Sequence, residues 1–387
     1  MTIPPELKPL IAQLRAQHPK LKAASDEQLM ELLQQAAPAA PPDDAALDRM
    51  SAQELDDLGE QLLQQGKGPQ AEPVLLRAQA KAEQEGDHKN QIWATIHLAQ
   101  LWFQRRDSAE AHGFYQQALA LAERLNEKRL QGIIHSEIGQ NYHRMLVQYP
   151  QAIAHYRKSM EIAKSLGDEE RLDICYDSLG KIYRQQGDFD RAIAIYKEAN
   201  GLHVTFGREE NAANDYGNLG IVYQEQGHLE RAARMHRKSL EIRERLGLEA
   251  DVANSYGNLG IVYQHQGEPD QAIPMYEKAL AIYERIGDKP NVAQLDGNLA
   301  ICYEQKGDVA RALALYRKSL ATKERLGDLP NAAMTYFNLG TLYRDGIGDW
   351  GGDANEARAN LERAKALYEQ VGDAPNAQKT ARALLQV

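Results

Sequence analysis

The chain has few of the residues that build large aromatic cores or interrupt helices: its 387 residues include 5 Phe, 3 Trp and 15 Pro. This scarcity argues against long strands, whereas the abundant Ala, Leu, Gln, Glu and Arg are good helix formers. Only two cysteines occur, Cys175 and Cys302, and neither has a second ligand-type residue at a metal-binding spacing. We therefore expect an all-α protein with two buried thiols and no metal or other cofactor.

Positive charge is also in deficit, since 45 Lys and Arg face 55 Asp and Glu, for a formal net charge of -10. Nucleic acid and anionic lipid are bound by clustered Lys and Arg, so neither is an expected partner. No apolar run approaches the ~18 residues that a membrane span needs, and the N-terminus lacks the pattern of a signal peptide. We expect a cytoplasmic protein without a membrane span.

One helical signature recurs eight times along the chain, with its central small residue at steps of 40 or 41 residues. The eight positions are Gly59, Ala99, Gly139, Gly180, Gly220, Gly260, Ala300 and Gly340. Such a period is typical of a solenoid, in which each unit buries its apolar face only against its neighbours.

The unit from Asn214 to Ala253 predicts how each repeat folds. Apolar and small side chains recur every three to four residues in two successive stretches, which indicates two helices. Gly227 is suited to end the first helix and Gly247 the second, because glycine readily takes the left-handed conformation. Each unit is therefore predicted to be a helix hairpin, and the Asp that often follows its last glycine is placed to cap the next helix.

The small, apolar and aromatic residues that recur in this unit resemble those of the tetratricopeptide repeat, whose usual length is 34 residues. In repeat 5 they are Leu219, Gly220, Tyr223, Ala232, His236 and Ser239. The longer period, with Asn-Leu-Gly at its centre, resembles the branch that includes kinesin light chain and the Pins/LGN scaffolds. The resemblance implies a right-handed superhelical solenoid of about eight hairpins over residues 48–372, closed by a C-terminal capping helix in 373–387.

The last repeat departs from this pattern. Tyr343 to Ala357 spans five residues more than Tyr303 to Ala312 does in repeat 7. The added glycine-containing turn resembles the Sel1-like variant of the repeat.

Residues 1–47 do not carry the signature, and we interpret them as an N-terminal helical extension followed by an Ala/Pro linker. An apolar stripe and a capping box indicate two short helices in residues 4–36. These helices either cap the first repeat or form a module that docks in the groove, on a partner or on a second copy of the chain. The last case would be self-association through residues 4–36.

The resemblance implies that the first helix of each hairpin lines a concave groove. Two positions before the signature residue, four successive repeats carry Asn218, Asn258, Asn298 and Asn338. An amide side chain can donate to a peptide C=O and accept from its N–H, so this row is suited to hold an extended backbone. The alternative is that these amides bond to neighbouring helices.

Other groove positions are candidates for ligand contact. Gly217, Gly257 and Gly297 stand one position earlier, where they either let a ligand backbone approach closely or relieve crowding. Seven further side chains are candidates for specificity: Gln224, Gln264, Glu304, Arg344, Lys181, Arg184 and His143.

No catalytic motif is recognisable, so we do not expect an enzyme. The leading hypothesis is an adaptor that grips an extended or helical segment of a partner protein in its groove. One alternative is an accessory of tubulin-like filaments similar to bacterial kinesin-light-chain-like proteins, and another is a peptide-responsive sensor of the Rap type. A basic line on the second helices is a further candidate surface, although such lines are more often a solvated face. Its members are Arg157, Lys158, Lys197, Arg237, Lys238, Lys278, Arg317 and Lys318.

Overall fold

The computed structural model describes residues 44–346 and 350–387, and every regular element in these ranges is an α-helix. The predicted helices in residues 4–36 and their docking or self-association lie outside the described residues. None of the described helices is both long and apolar enough to cross a membrane.

The described residues fall into two compact units. The first ends at Leu166 and contains a short helix and three hairpins. Its helices are α1 Asp44–Arg49, α2 Ala52–Gln64, α3 Gly68–Glu85, α4 His88–Gln104, α5 Ser108–Arg124, α6 Lys128–Arg144 and α7 Tyr149–Leu166. Helix α1 begins within the predicted linker and buries Leu47 in the core of the first hairpin.

The second unit begins at Gly167 and contains five hairpins and a last helix. Its helices are α8 Glu169–Gln185, α9 Phe189–Thr205, α10 Glu209–Glu225, α11 Leu229–Leu246, α12 Glu249–His265, α13 Pro269–Ile286, α14 Lys289–Gln305, α15 Val309–Leu326, α16 Leu329–Asp345, α17 Ala354–Gln370 and α18 Ala374–Leu384. Within each unit a helix packs mainly against its neighbours in sequence, and α18 packs on α17. The all-α solenoid of eight hairpins with a final capping helix is therefore confirmed.

The first helix of repeat 5 is longer than the periodicity predicts. Helix α10 begins at Glu209, five residues before Asn214. The connection between hairpins is short because Gly247, with φ of 71°, turns the chain and Leu248 already starts the next helix. Successive hairpins thus follow one another without a spacer.

The signature glycine lets the two helices of a hairpin approach closely. A Cβ atom built on Gly220 would lie 2.5 Å from the His236 ring, and one on Gly260 would lie 2.5 Å from the Tyr276 ring. Both rings are almost fully buried. His236, which stands at a repeat position that resembles the family pattern, is thus a core residue, and the glycine is required by the ring that packs on it.

The predicted caps are present. Asp288 accepts a hydrogen bond from the Asn291 backbone N–H at 3.1 Å, and Asp328 caps α16 in the same way. In the long turn of repeat 8, the described Gly346 and Gly352 both have positive φ. Those glycines allow the Asp353 N–H to donate to the Tyr343 carbonyl at 2.8 Å and so restart the helical pattern.

Candidate functional site

The four asparagines of the predicted row lie on the first helices α10, α12, α14 and α16 of the second unit, and all four are half-buried. Asn218 and Asn258 line a cavity of about 410 Å³, and Asn298 and Asn338 line one of about 240 Å³. Among the described residues, only the Asn298 side chain of this row has a hydrogen bond, which Gln294 donates at 3.3 Å. Within the described ranges, the other three amides form no hydrogen bond to a neighbouring helix.

The three groove glycines are not required by helix packing. A Cβ on Gly217 would lie 3.7 Å from Ser239 Oγ, and one on Gly257 would lie 3.9 Å from Leu295 Cδ2. On Gly297 the nearest atom would be 3.4 Å away. These are ordinary van der Waals distances, so relief of crowding does not account for the glycines.

Two of the specificity candidates have a structural role that the sequence analysis missed. Gln264 accepts a hydrogen bond from the Tyr276 hydroxyl at 2.7 Å, and Glu304 accepts one from Tyr316 at 2.8 Å. Burial raises the pKa of the Glu304 carboxyl. Both side chains tie the first helix of a hairpin to the second, while Gln224 stands at the corresponding position of repeat 5.

Arg344 lies at the C-terminal end of the row, where it donates to Asp345 and Gln386 and lines a cavity of about 310 Å³. Lys181 pairs with Asp177 at 2.6 Å.

Arg184 pairs with Glu225 at 2.7 Å, which joins α8 to α10. His143 belongs to the first unit, where its ring centroid lies 6.0 Å from that of Tyr149. It is thus not part of the second-unit site.

A set of buried polar side chains lies behind the asparagine row, and we call it the buried polar column. Its members follow one another at steps of 40 residues on the second helices: His203, Arg243, Tyr283 and Lys323. They are between 2% and 9% exposed. The sequence does carry a signal for this column, because a polar residue recurs every 40 residues on the otherwise apolar face of the second helices. A search for apolar periodicity alone does not detect that signal.

His203 joins three helices through its ring nitrogens. Nδ1 lies 2.6 Å from Asp215 and Nε2 lies 2.7 Å from Asp173. Burial lowers the pKa of His203, but the hydrogen bonds to the two carboxylates outweigh it and raise the pKa overall. The charge at this step of the column is therefore compensated by its neighbours.

The charges at two other steps are solvated by neutral groups. Arg243 lines the larger groove cavity and donates to Ser255 at 2.9 Å and Asn214 at 2.8 Å. Lys323 lines the smaller one and donates to Thr335 at 3.0 Å. Burial lowers the pKa of both side chains. Within the described residues, neither forms an ion pair.

The basic line on the second helices is engaged with neighbouring aromatic side chains. Arg317 donates to the Tyr343 hydroxyl at 2.7 Å, and Lys278 Nζ lies 5.0 Å from the centroid of the Tyr256 ring. This hydrogen bond and this cation–π contact give part of the basic line a role within the chain, without an external partner.

The sequence comparison defines the family. Models of the tetratricopeptide repeat match residues 48–124, 130–199, 216–246, 251–325 and 291–351, which is more than half of the chain. The chain therefore belongs to the tetratricopeptide repeat family. No curated protein sequence matches it.

Solved structures share the fold. BtubC (BKLC) from P. vanneervenii is 26% identical over 58% of this chain and 92% of its own, with a TM-score of 0.51. The apo quorum sensor NprR from B. thuringiensis is 17% identical over 86% of this chain and 91% of its own, with a TM-score of 0.56.

A Rap protein complexed with competence and sporulation factor is 14% identical over 86% of this chain and 96% of its own, with a TM-score of 0.50. These three structures are similar to this chain in fold.

Proposed function

We propose that this chain is a non-enzymatic cytoplasmic adaptor that holds an extended segment of a partner protein along Asn218, Asn258, Asn298 and Asn338. The observation that carries the proposal is that all four half-buried amides line groove cavities and three of them are free of hydrogen bonds within the described residues. Helix axes ~10 Å apart correspond to about three residues of extended chain at ~3.3 Å each. The row therefore suits about nine residues of partner backbone.

Hydrogen bonds along the row are not sufficient for tight binding. Four such contacts at ~0.5 to 1.5 kcal/mol each give ~2 to 6 kcal/mol, while micromolar affinity needs ~8 kcal/mol. Side-chain contacts must supply the difference, and Gln224, Lys181 and Arg184 remain candidates for them.

The test is a crosslinking pull-down from the native cytoplasm with the full chain and with the variant in which Asn218, Asn258 and Asn298 are all changed to Ala. Partner capture should be lost because the backbone donors and acceptors are removed. The helicity measured by circular dichroism should be retained. Asn355 and Asn360, changed together to Ala on the second helix α17, provide the control. If the triple variant captured the same partner as the wild-type chain, the site would have to be elsewhere.

A second candidate function is the filament accessory, and the 26% identity to BtubC favours it. Co-sedimentation of the chain with a tubulin-like polymer, in the absence of peptide capture, would support this candidate over the adaptor. A peptide-responsive sensor, as the fold shared with NprR suggests, would instead bind a short free peptide and change its hydrodynamic radius.

A further inference from the structure

Two buried cations in the second unit lack an anionic partner in contact with them. Arg243 is 9% exposed and Lys323 is 2% exposed, and their hydrogen bonds go to hydroxyl, amide and backbone oxygens. A buried charge without a counter-ion in contact is unfavourable for folding. Two such cations at the same position of two repeats therefore need an explanation.

Both cations border the groove rather than a closed core. Arg243 lines the cavity that contains Asn218, and Lys323 lines the cavity that contains Asn338. A group bound along the asparagine row would therefore meet these charges.

A glycine stands beside each cation. A Cβ atom on Gly217 would lie 3.9 Å from Arg243 Nη2, and one on Gly297 would lie 3.6 Å from Lys323 Nζ. Any side chain at these positions would cover the charged group on the side of the first helix. Each glycine lines the same cavity as its cation, so no side chain of the first helix separates the cation from a ligand in that cavity.

The other steps of the buried polar column do not have this arrangement. His203 is held between two carboxylates, and Tyr283 is neutral and donates to Asn254 at 2.6 Å. Carboxylates do face the two cations, but only at longer range than an ion pair. They are Glu210 and Asp251 for Arg243, and Asp296 and Asp328 for Lys323.

We infer that the partner segment carries two acidic side chains, Asp or Glu, one seated on Arg243 beside Gly217 and the other on Lys323 beside Gly297. This inference rests on the proposed function and specifies the chemistry of the partner. A carboxylate forms charge-assisted hydrogen bonds with a buried guanidinium or ammonium group, and these are roughly twice as strong as bonds between neutral groups. The contacts of these two acidic residues with Arg243 and Lys323 supply the binding free energy that hydrogen bonds to the asparagine row do not.

The spacing of the two acidic residues follows from the repeat. Arg243 and Lys323 are two repeats apart, or about 20 Å along the groove, which corresponds to about six residues of extended chain. Side chains of an extended strand alternate between faces, so residues six apart point to the same side. The partner motif is therefore an acidic pair with five residues between its members.

The test starts from a phage-displayed library of random twelve-residue peptides selected on the full chain. Acidic pairs six positions apart should be enriched over the input. A selected peptide should lose about tenfold or more in affinity for the Lys323→Met variant, measured by fluorescence polarisation. Replacing only the acidic residue that contacts Lys323 by Asn or Gln should cost a similar factor with the wild-type chain and little more with the variant, because both changes remove the same contact.

Glycine variants provide a matched comparison that does not remove a buried hydrogen bond. Gly297→Ala should weaken the acidic peptide more than its neutral counterpart, because the methyl group covers Lys323. Gly257→Ala, whose added Cβ would lie near Leu295 and near no cation, should affect both peptides equally.

The outcomes separate this inference from the proposed function. Selected peptides that depend on the asparagines but have no acidic pair would overturn the inference and leave the adaptor intact. Failure to select any peptide above the triple asparagine variant would overturn both.

Discussion

His236 occupies a position where neighbouring repeats carry a tyrosine. Its ring is 1% exposed, and neither ring nitrogen has a hydrogen-bond partner in the described part of the chain. Burial lowers the pKa of His236 to about 4, with a smaller contribution from Arg243. An unsatisfied buried polar group costs ~1 to 3 kcal/mol, so this ring destabilises its hairpin.

We expect His236→Tyr to raise the free energy of unfolding by ~1 to 2 kcal/mol. The new hydroxyl should donate to Gln224, as Tyr276 donates to Gln264 in the next repeat. Urea denaturation at pH 7.5 measures the change. His236→Phe is the control, since it removes the unpaired nitrogens without adding a donor, and equal stability of the two variants would exclude the bond to Gln224.

At the residue scale, the sequence predicts the positions of small and apolar side chains that recur in every repeat. The repeat positions of Gly220 and His236 follow from the signature, while the contact between them is seen only in the structure. The roles of Gln264 and Glu304 do not, because their partners, the tyrosine hydroxyls, belong to side chains that the pattern identifies only as apolar rings. Arg243 and Lys323 were missed for the converse reason, since polar residues on a helix are ordinarily assigned to solvent.

At the scale of the element, α12 contains two glycines with opposite requirements. A Cβ on Gly260 would lie 2.5 Å from the Tyr276 ring, whereas one on Gly257 would meet no atom closer than 3.9 Å. The first glycine is needed for helix packing, and the second is not.

Gly260→Ala should therefore lower the free energy of unfolding by ~1 to 2 kcal/mol through overpacking. The presence of Ala300 at the same position of repeat 7 places the expected loss at the lower end of that range. Gly257→Ala should raise it by ~0.5 to 1 kcal/mol, because alanine favours the helix. Thermal unfolding of both variants checks the contrast, and a loss of stability for Gly257→Ala would show that its site is more crowded than described.

Element boundaries were predicted less well than element type. The capping residue Asp288 was identified, but helix α10 starts at Glu209 rather than near Asn214. Apolar periodicity marks only the part of a helix that is packed. The first turns, which are more polar, become helical because the three-residue connection from Phe206 to Arg208 leaves little room for another conformation.

At the scale of the whole molecule, three histidines make stability depend on pH. Burial lowers the pKa of His135, His155 and His236 to about 4, compared with about 6.5 in an unfolded chain. A lowered pKa means that the folded state favours the neutral ring. Their contribution is thus fully present above about pH 6.5 and is lost as the pH falls toward 4.

We expect the urea midpoint to fall when the pH is lowered from 7.5 to 5. His203, whose pKa is raised, opposes this trend because its contribution is present at low pH and lost as the pH rises through its folded pKa. The His236→Tyr variant should lose less stability over the same interval. A midpoint that did not change with pH, or that changed equally in both proteins, would contradict the burial of neutral rings.

If a partner segment binds as proposed, the buried polar column also sets its position along the solenoid. Repeats 5 and 6 are nearly identical on their first helices, so the asparagine row offers the same backbone contacts after a shift of one whole repeat. Behind it the chemistry changes at every step, from the carboxylate-bound His203 through Arg243 and Tyr283 to Lys323. A segment displaced by one repeat would set an acidic side chain against a phenol and lose its counter-charge. The irregular column thus removes the slippage that a regular array would allow.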